Sequence, residues 1–162
     1  MEDRMKWMQE SAALCFQERG WVPGIFLVFS GDRVTPIPCS HDSEYEKNRV
    51  AKLLVDYAAR PDVDAIGQIG EVWVIEHDTA SSMAAANSRA MREPSAADHP
   101  DRKELVMVSL SLRDGDTLAS YAEILREPEE NPRLAPWGET RHEDCVGRFA
   151  NYFLTAMGQE AN

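Results

Sequence analysis

The sequence predicts an α+β fold of about five mostly antiparallel strands and three helices, in the order α-β-β-α-β-β-β-α. Three observations carry that expectation. An amphipathic stripe opens the chain, a short apolar run follows at Ile25 to Phe29, and an Asp-Gly pair divides two long strand-like runs.

Met5, Met8, Ala12, Cys15 and Phe16 recur at spacings of three and four, with Glu, Lys and Gln between them, which predicts a helix ending near Gly20. Ile25-Phe-Leu-Val-Phe29 is too short for a helix and suits a strand buried on both faces. Val34 to Cys39 contains Pro36 and Pro38, which lack an N–H for a ladder, so this second strand belongs at a sheet edge. Ser43-Glu-Tyr-Glu46 has the form of a capping box, and Val50, Leu53, Leu54, Tyr57 and Ala58 continue it as a helix that Pro61 stops.

Ala65 to Glu76 reads as a long strand, bulged at Gly67 or Gly70. From Thr79 to Ala97 the periodicity lapses, so a flexible loop is expected at about 79–100. Lys103 to Leu112 and Thr117 to Arg126 then form a hairpin; a two-residue Asp114-Gly115 turn would set Leu112 against Thr117 and Val106 against Glu123. Glu127 to Gly138 holds three prolines and reads as irregular, and Cys145, Val146, Phe149, Phe153 and Ala156 mark a closing helix.

A length of 162 residues suits one globular domain, 1–162, and the 43% apolar content supplies a core. No stretch approaches the roughly 18 apolar residues of a membrane span, and no secretory signal opens the chain, so a cytoplasmic protein is expected. Three cysteines without C-x-x-C spacing read as reduced thiols. A net charge of -11 argues against a non-specific nucleic-acid binder, so no nucleic-acid partner is expected.

The phosphate-binding, dinucleotide-binding, hydrolase-elbow and zinc-helix motifs are all absent, so neither a cofactor nor a metal is expected. Three weaker clusters remain. Glu71, Trp73 and His77 share one strand face by the period of two, where a ligand could meet a carboxylate, an indole and an imidazole; alternatively Trp73 packs in the core and His77 ends the strand in solvent. In the Asp114-Gly115 register Arg102, Glu104 and Glu123 fall on one face, an arrangement that tunes a general acid or base or else fixes a hairpin with an ion pair. Cys39-Ser-His41-Asp42 matches no zinc spacing, and its last residues serve as a helix start.

Glu71-x-Trp73, then Pro94-Ser, then His99-Pro-Asp-Arg-x-Glu104 resembles a pattern found in small uncharacterised bacterial and phage proteins. The resemblance implies no activity, but it groups Glu71, Trp73, His99, Arg102 and Glu104 as one set. Two functional expectations follow. One is a non-enzymatic accessory or interaction protein, a homodimer or the partner of a larger assembly, with Trp7, Trp21 and Trp137 as contact residues. The other is a small hydrolase or ligand-binding enzyme with a pocket beneath the 79–100 loop. There Glu71 or Glu104 serves as general base, His99 as acid or base and Arg102 as anion holder, with Trp73, His77 and Glu123 as ligand contacts.

Overall fold

The computed structural model describes residues 2–39, 43–74, 103–127, 130–142 and 152–158. The expected loop at 79–100, the short helix start at Ser40 to Asp42 and most of the closing helix lie outside them.

Helix α1 spans Glu2–Arg19 and buries Met5, Met8, Ala12 and Phe16, the stripe read from the sequence. Gly20, at φ 75°, adopts the left-handed conformation that ends the helix, and its N–H donates to the Phe16 carbonyl at 2.7 Å. Strand β1 (Ile25–Ser30) and strand β2 (Arg33–Pro38) form a hairpin. Helix α2 (Glu44–Ala58) starts where the Ser43 hydroxyl accepts the Glu46 N–H, as the capping box requires.

Strands β3 (Ala65–Val74), β4 (Lys103–Leu112) and β5 (Thr117–Leu125) complete the long elements. Two-residue strands β6 (Arg133–Leu134) and β7 (Arg141–His142) and a five-residue helix, α3 (Tyr152–Ala156), follow. The strand order is β2-β1-β3-β4-β5-β6, with β7 also on β5, and every neighbouring pair is antiparallel.

The expected five strands are therefore joined by two more, β6 within the Pro-rich stretch read as irregular and β7 just beyond it. Pro136 interrupts regular pairing there, yet residues 133–142 run along β5. Ala135 N–H donates to Glu123 O at 2.8 Å and Gly138 N–H to Tyr121 O at 2.9 Å, between the β6 and β7 pairings. A further correction concerns β3, which has no bulge: its register with β1 and β4 is continuous through both glycines.

Period-two alternation divides the sheet into two faces. Leu27, Phe29, Ile69, Val106, Val108 and Leu110 join the α1 stripe in one core, while Phe26, Val28 and Ile66 join Val50, Leu54 and Ala58 of α2 and Tyr152 and Phe153 of α3 in the other. β1 is thus covered on both sides, as its apolar run predicts. Gly67 explains how α1 comes so close: a Cβ there would lie 2.6 Å from Met8 Cε and 3.2 Å from Phe29 Cε2. The glycine leaves room for a helix side chain, not for a kink.

Both margins of the sheet are weak templates for further pairing. Cys39 N–H donates inward to Gly24 O at 3.0 Å, so by alternation the backbone at Pro36 and Pro38 faces outward, where the missing donors weaken the edge as a template for another strand. At the opposite margin residues 133–142 cover β5.

The hairpin between β4 and β5 has a three-residue loop, Arg113 to Gly115. Leu112 N–H donates to Asp116 O at 2.8 Å, Gly115 N–H to Leu112 O at 3.0 Å, and Gly115 takes φ 98°. Thr117 consequently pairs with Ser111 rather than Leu112, and Glu123 with Leu105 rather than Val106. A one-residue slip reverses the faces of β5, which brings Leu118, Ala122 and Ile124 to the α1 core.

Arg113 links distant segments. Its Nε donates to Val63 O at 2.8 Å, its Nη2 to Ala58 O at 3.3 Å and also to Arg60 O, and its guanidinium lies 5.4 Å from the Phe153 ring centroid. From a turn some 50 residues away it closes the last carbonyl of α2, at Ala58, and two carbonyls of the turn that follows. On the other face Arg4 forks onto both oxygens of Asp64 at 2.9 and 3.1 Å, donates to Gly31 O at 3.0 Å and covers the Phe29 ring.

Gly67→Ala is expected to destabilise the protein by about 1–3 kcal/mol in urea unfolding, from overpacking. Combining it with Met8→Ala should cost less than the sum of the two single changes, because the second removes the clash the first creates. Arg113→Met should cost roughly 2 kcal/mol, since three carbonyls lose a charged donor. Amide exchange in the last turn of α2 is expected to accelerate with it.

Candidate functional site

Among the described residues no helix beyond Gly20 covers the α1 face of the sheet, and the sequence changes character at that point. On β3 the inward row passes from Ile69 to Glu71 and Trp73; on β4 it passes from Val106 to Glu104. Trp73 pairs directly with Glu104, and Glu71 with Val106, so Glu71 and Glu104 are diagonal neighbours on one face, roughly 7–8 Å apart along the backbone. The structure thus brings together three of the residues singled out in the sequence.

Both carboxylates have partners. Glu71 Oε1 accepts the Val22 N–H at 2.9 Å, which fixes the chain as it leaves α1 for β1. Glu104 Oε2 meets Arg126 Nε at 2.6 Å, an ion pair across the open end of the hairpin. The guanidinium that was sought at Arg102 is, within the described residues, supplied by Arg126.

Glu123 does not join this set. The corrected register places it opposite Leu105, on the α2 face, because the three-residue loop shifts β5 by one position. The signal was present in the sequence: Leu118, Ala122 and Ile124 are apolar at the positions that the three-residue loop turns inward, whereas the two-residue loop would have turned Thr117 and Glu123 toward the α1 core instead. His77, His99 and Arg102 lie outside the described residues, as do His41 and Asp42 of the Cys39 cluster.

Trp73 is not a core residue. It is 51% exposed, Trp21 50% and Trp7 45%, whereas Trp137, expected as a contact residue, is partly buried against the α1 core. Trp7 rests edge-on against Phe29, ring centroids 6.4 Å apart, with half of its surface free. Trp21 immediately precedes the Val22 amide that Glu71 holds, so two half-exposed indoles flank one carboxylate.

Cys39 is buried, and that burial, reinforced by the Glu46 carboxylate and opposed by Lys47, pushes its thiol pKa up. A neutral, covered thiol is a poor nucleophile. Among the described residues no group of three or more His, Cys, Asp or Glu side chains is placed to hold a metal ion. Two cavities lie away from the Glu71 row. One of about 580 Å³ sits between Met5, Lys6 and Leu118, and one of about 260 Å³ between α1 and the β1–β2 hairpin.

The architecture is that of an α+β protein with an all-antiparallel sheet between helices on its two faces. The chain belongs to the family of bacteriophage lambda protein ea47, whose family model matches residues 1–158. That description names a phage protein and no activity, in keeping with the resemblance to small phage proteins stated above. No curated protein and no solved structure matches the chain. No helix among the described residues is long and apolar enough to cross a membrane.

If Glu71 serves the turn after α1, Glu71→Ala should destabilise the protein by about 1 kcal/mol, leaving the Val22 amide without its acceptor, and Glu71→Gln should cost less because the amide oxygen can still accept. Chemical unfolding of the two variants checks this. An unchanged midpoint in the alanine variant would release Glu71 from the structural role.

Proposed function

We propose that the protein is a non-catalytic interaction module that binds a protein partner through its α1 side. The observation that carries this reading is the exposure of Trp7, Trp21 and Trp73, each near half, on the α1 side of the sheet. Indoles offer large, rigid contact area and are enriched at interfaces. Trp7 and Leu14 lie two turns apart on the same exposed stripe of α1, and Trp21 and Trp73 continue the surface beyond the helix end.

The prolines of β2 and the two-residue length of β6 and β7 favour contact through side chains over strand addition. Charge favours a foreign partner over a second copy, because two chains of net charge -11 repel one another. The same charge weighs against nucleic acid. The enzymatic alternative loses support from the commitments of Glu71 and Glu104 to Val22 and Arg126, which leave neither carboxylate wholly available as a base.

A photo-crosslinking residue at Leu14, on α1, should give a covalent adduct with one defined protein in cells that make the full chain. The same residue at Leu53, exposed on α2, should not. Replacing Trp7, Trp21 and Trp73 by Ser should abolish the Leu14 adduct while the fold persists. Equal labelling from Leu14 and Leu53, or none from Leu14, would defeat the proposal, and an adduct of twice the chain mass would point to self-association.

A further inference from the structure

The smaller cavity has a chemistry of its own. It measures about 260 Å³ and lies between the first turns of α1 and the β1–β2 hairpin, with Trp7 as one wall, Val34 as the other, Phe29 as the floor and Asp3 and Asp32 among its lining. Every element that forms it lies within the described residues. Phe29 is buried, whereas Trp7 and Val34 keep exposed apolar surface at the mouth.

Its charges do not balance. Arg4 also lines the groove, but its guanidinium is forked onto Asp64 in a bidentate pair and donates to Gly31 O, so its charge is matched. Among the described residues neither Asp3 nor Asp32 has an ion-pair partner. The amino end of α1 contributes about half a positive charge, which Glu2 and Asp3 together exceed. The groove therefore presents an indole, the apolar side chain of Val34 and unmatched carboxylate charge.

We propose that this groove receives a cationic side chain, of the arginine type, from the partner protein; the inference rests on the interaction reading above and names what the partner must present. An aliphatic stem fits between Trp7 and Val34, a planar guanidinium stacks on the indole face, and its donors reach carboxylates. Arg4 already shows the local preference, lying 4.8 Å from the Phe29 ring centroid while it binds Asp64. An anionic ligand meets the wrong sign, and a second copy of this chain brings further negative charge to a negative groove.

The test uses the full chain and a defined probe. The four Trp indole resonances, assigned from single Trp→Phe variants, are followed in proton–nitrogen correlation spectra during titration with N-acetyl-arginine amide, and separately with the uncharged N-acetyl-norleucine amide. Saturable movement of the Trp7 resonance with the arginine compound is expected. It should weaken roughly fivefold in the Asp3→Asn/Asp32→Asn variant and fade at high salt. Equal movement with norleucine amide, or no movement of Trp7 in a folded spectrum, would overturn the inference. Failure here with the Leu14 crosslink intact removes only the cationic groove; loss of the crosslink with the Trp7 response intact removes only the partner.

Discussion

The close seating of α1 on the sheet, made possible by the missing side chain at Gly67, governs most of what this protein presents to its surroundings. Met8 occupies the space that a Cβ would fill, so the helix lies low across β3 and β4 and buries its methionine stripe completely. A helix held so near must turn its other residues outward. Trp7 and Leu14 are exposed because the stripe beside them is committed to the core, and Trp21 and Trp73 because the helix stops at Gly20 before the strands do.

Interfaces in antiparallel proteins often begin at an unpaired strand. Here the two prolines of β2 withhold their donors from one margin, and residues 133–142 occupy the other. What remains is the surface formed by helix and strand ends, where apolar rings alternate with carboxylates. Such a surface selects by shape and sign together, since the rings supply contact area and the carboxylates reject anionic competitors.

Much of the fold was legible because local chemistry and tertiary packing agree. The α1 stripe, the doubly buried β1, the prolines at an edge and the Ser43 cap each follow from a rule that acts within a few residues. The β4–β5 register was not read correctly, because Asp-Gly suits both a two-residue and a three-residue loop, and only the inward alternation of Leu118, Ala122 and Ile124 separates them. The candidate site inherited that error at Glu123, while Glu71, Trp73 and Glu104 converge because β3 and β4 pair without a break. The partners of the two carboxylates were invisible in the sequence: Val22 lies 49 residues from Glu71, and nothing local marks Arg126 as a partner of Glu104. The half-exposed state of Trp73 depends on where a helix ends in space, which periodicity does not report.

The Arg113 clasp bears on the order in which the molecule can be completed. The carbonyls of Ala58, Arg60 and Val63 emerge from synthesis long before the guanidinium that closes them, and Phe153, against which that guanidinium rests, emerges later still. Until Arg113 emerges water must solvate these carbonyls, so the nascent chain carries an unclosed end of α2 while some 50 further residues are made. The final turn of helix locks the first half of the polypeptide through a residue belonging to neither.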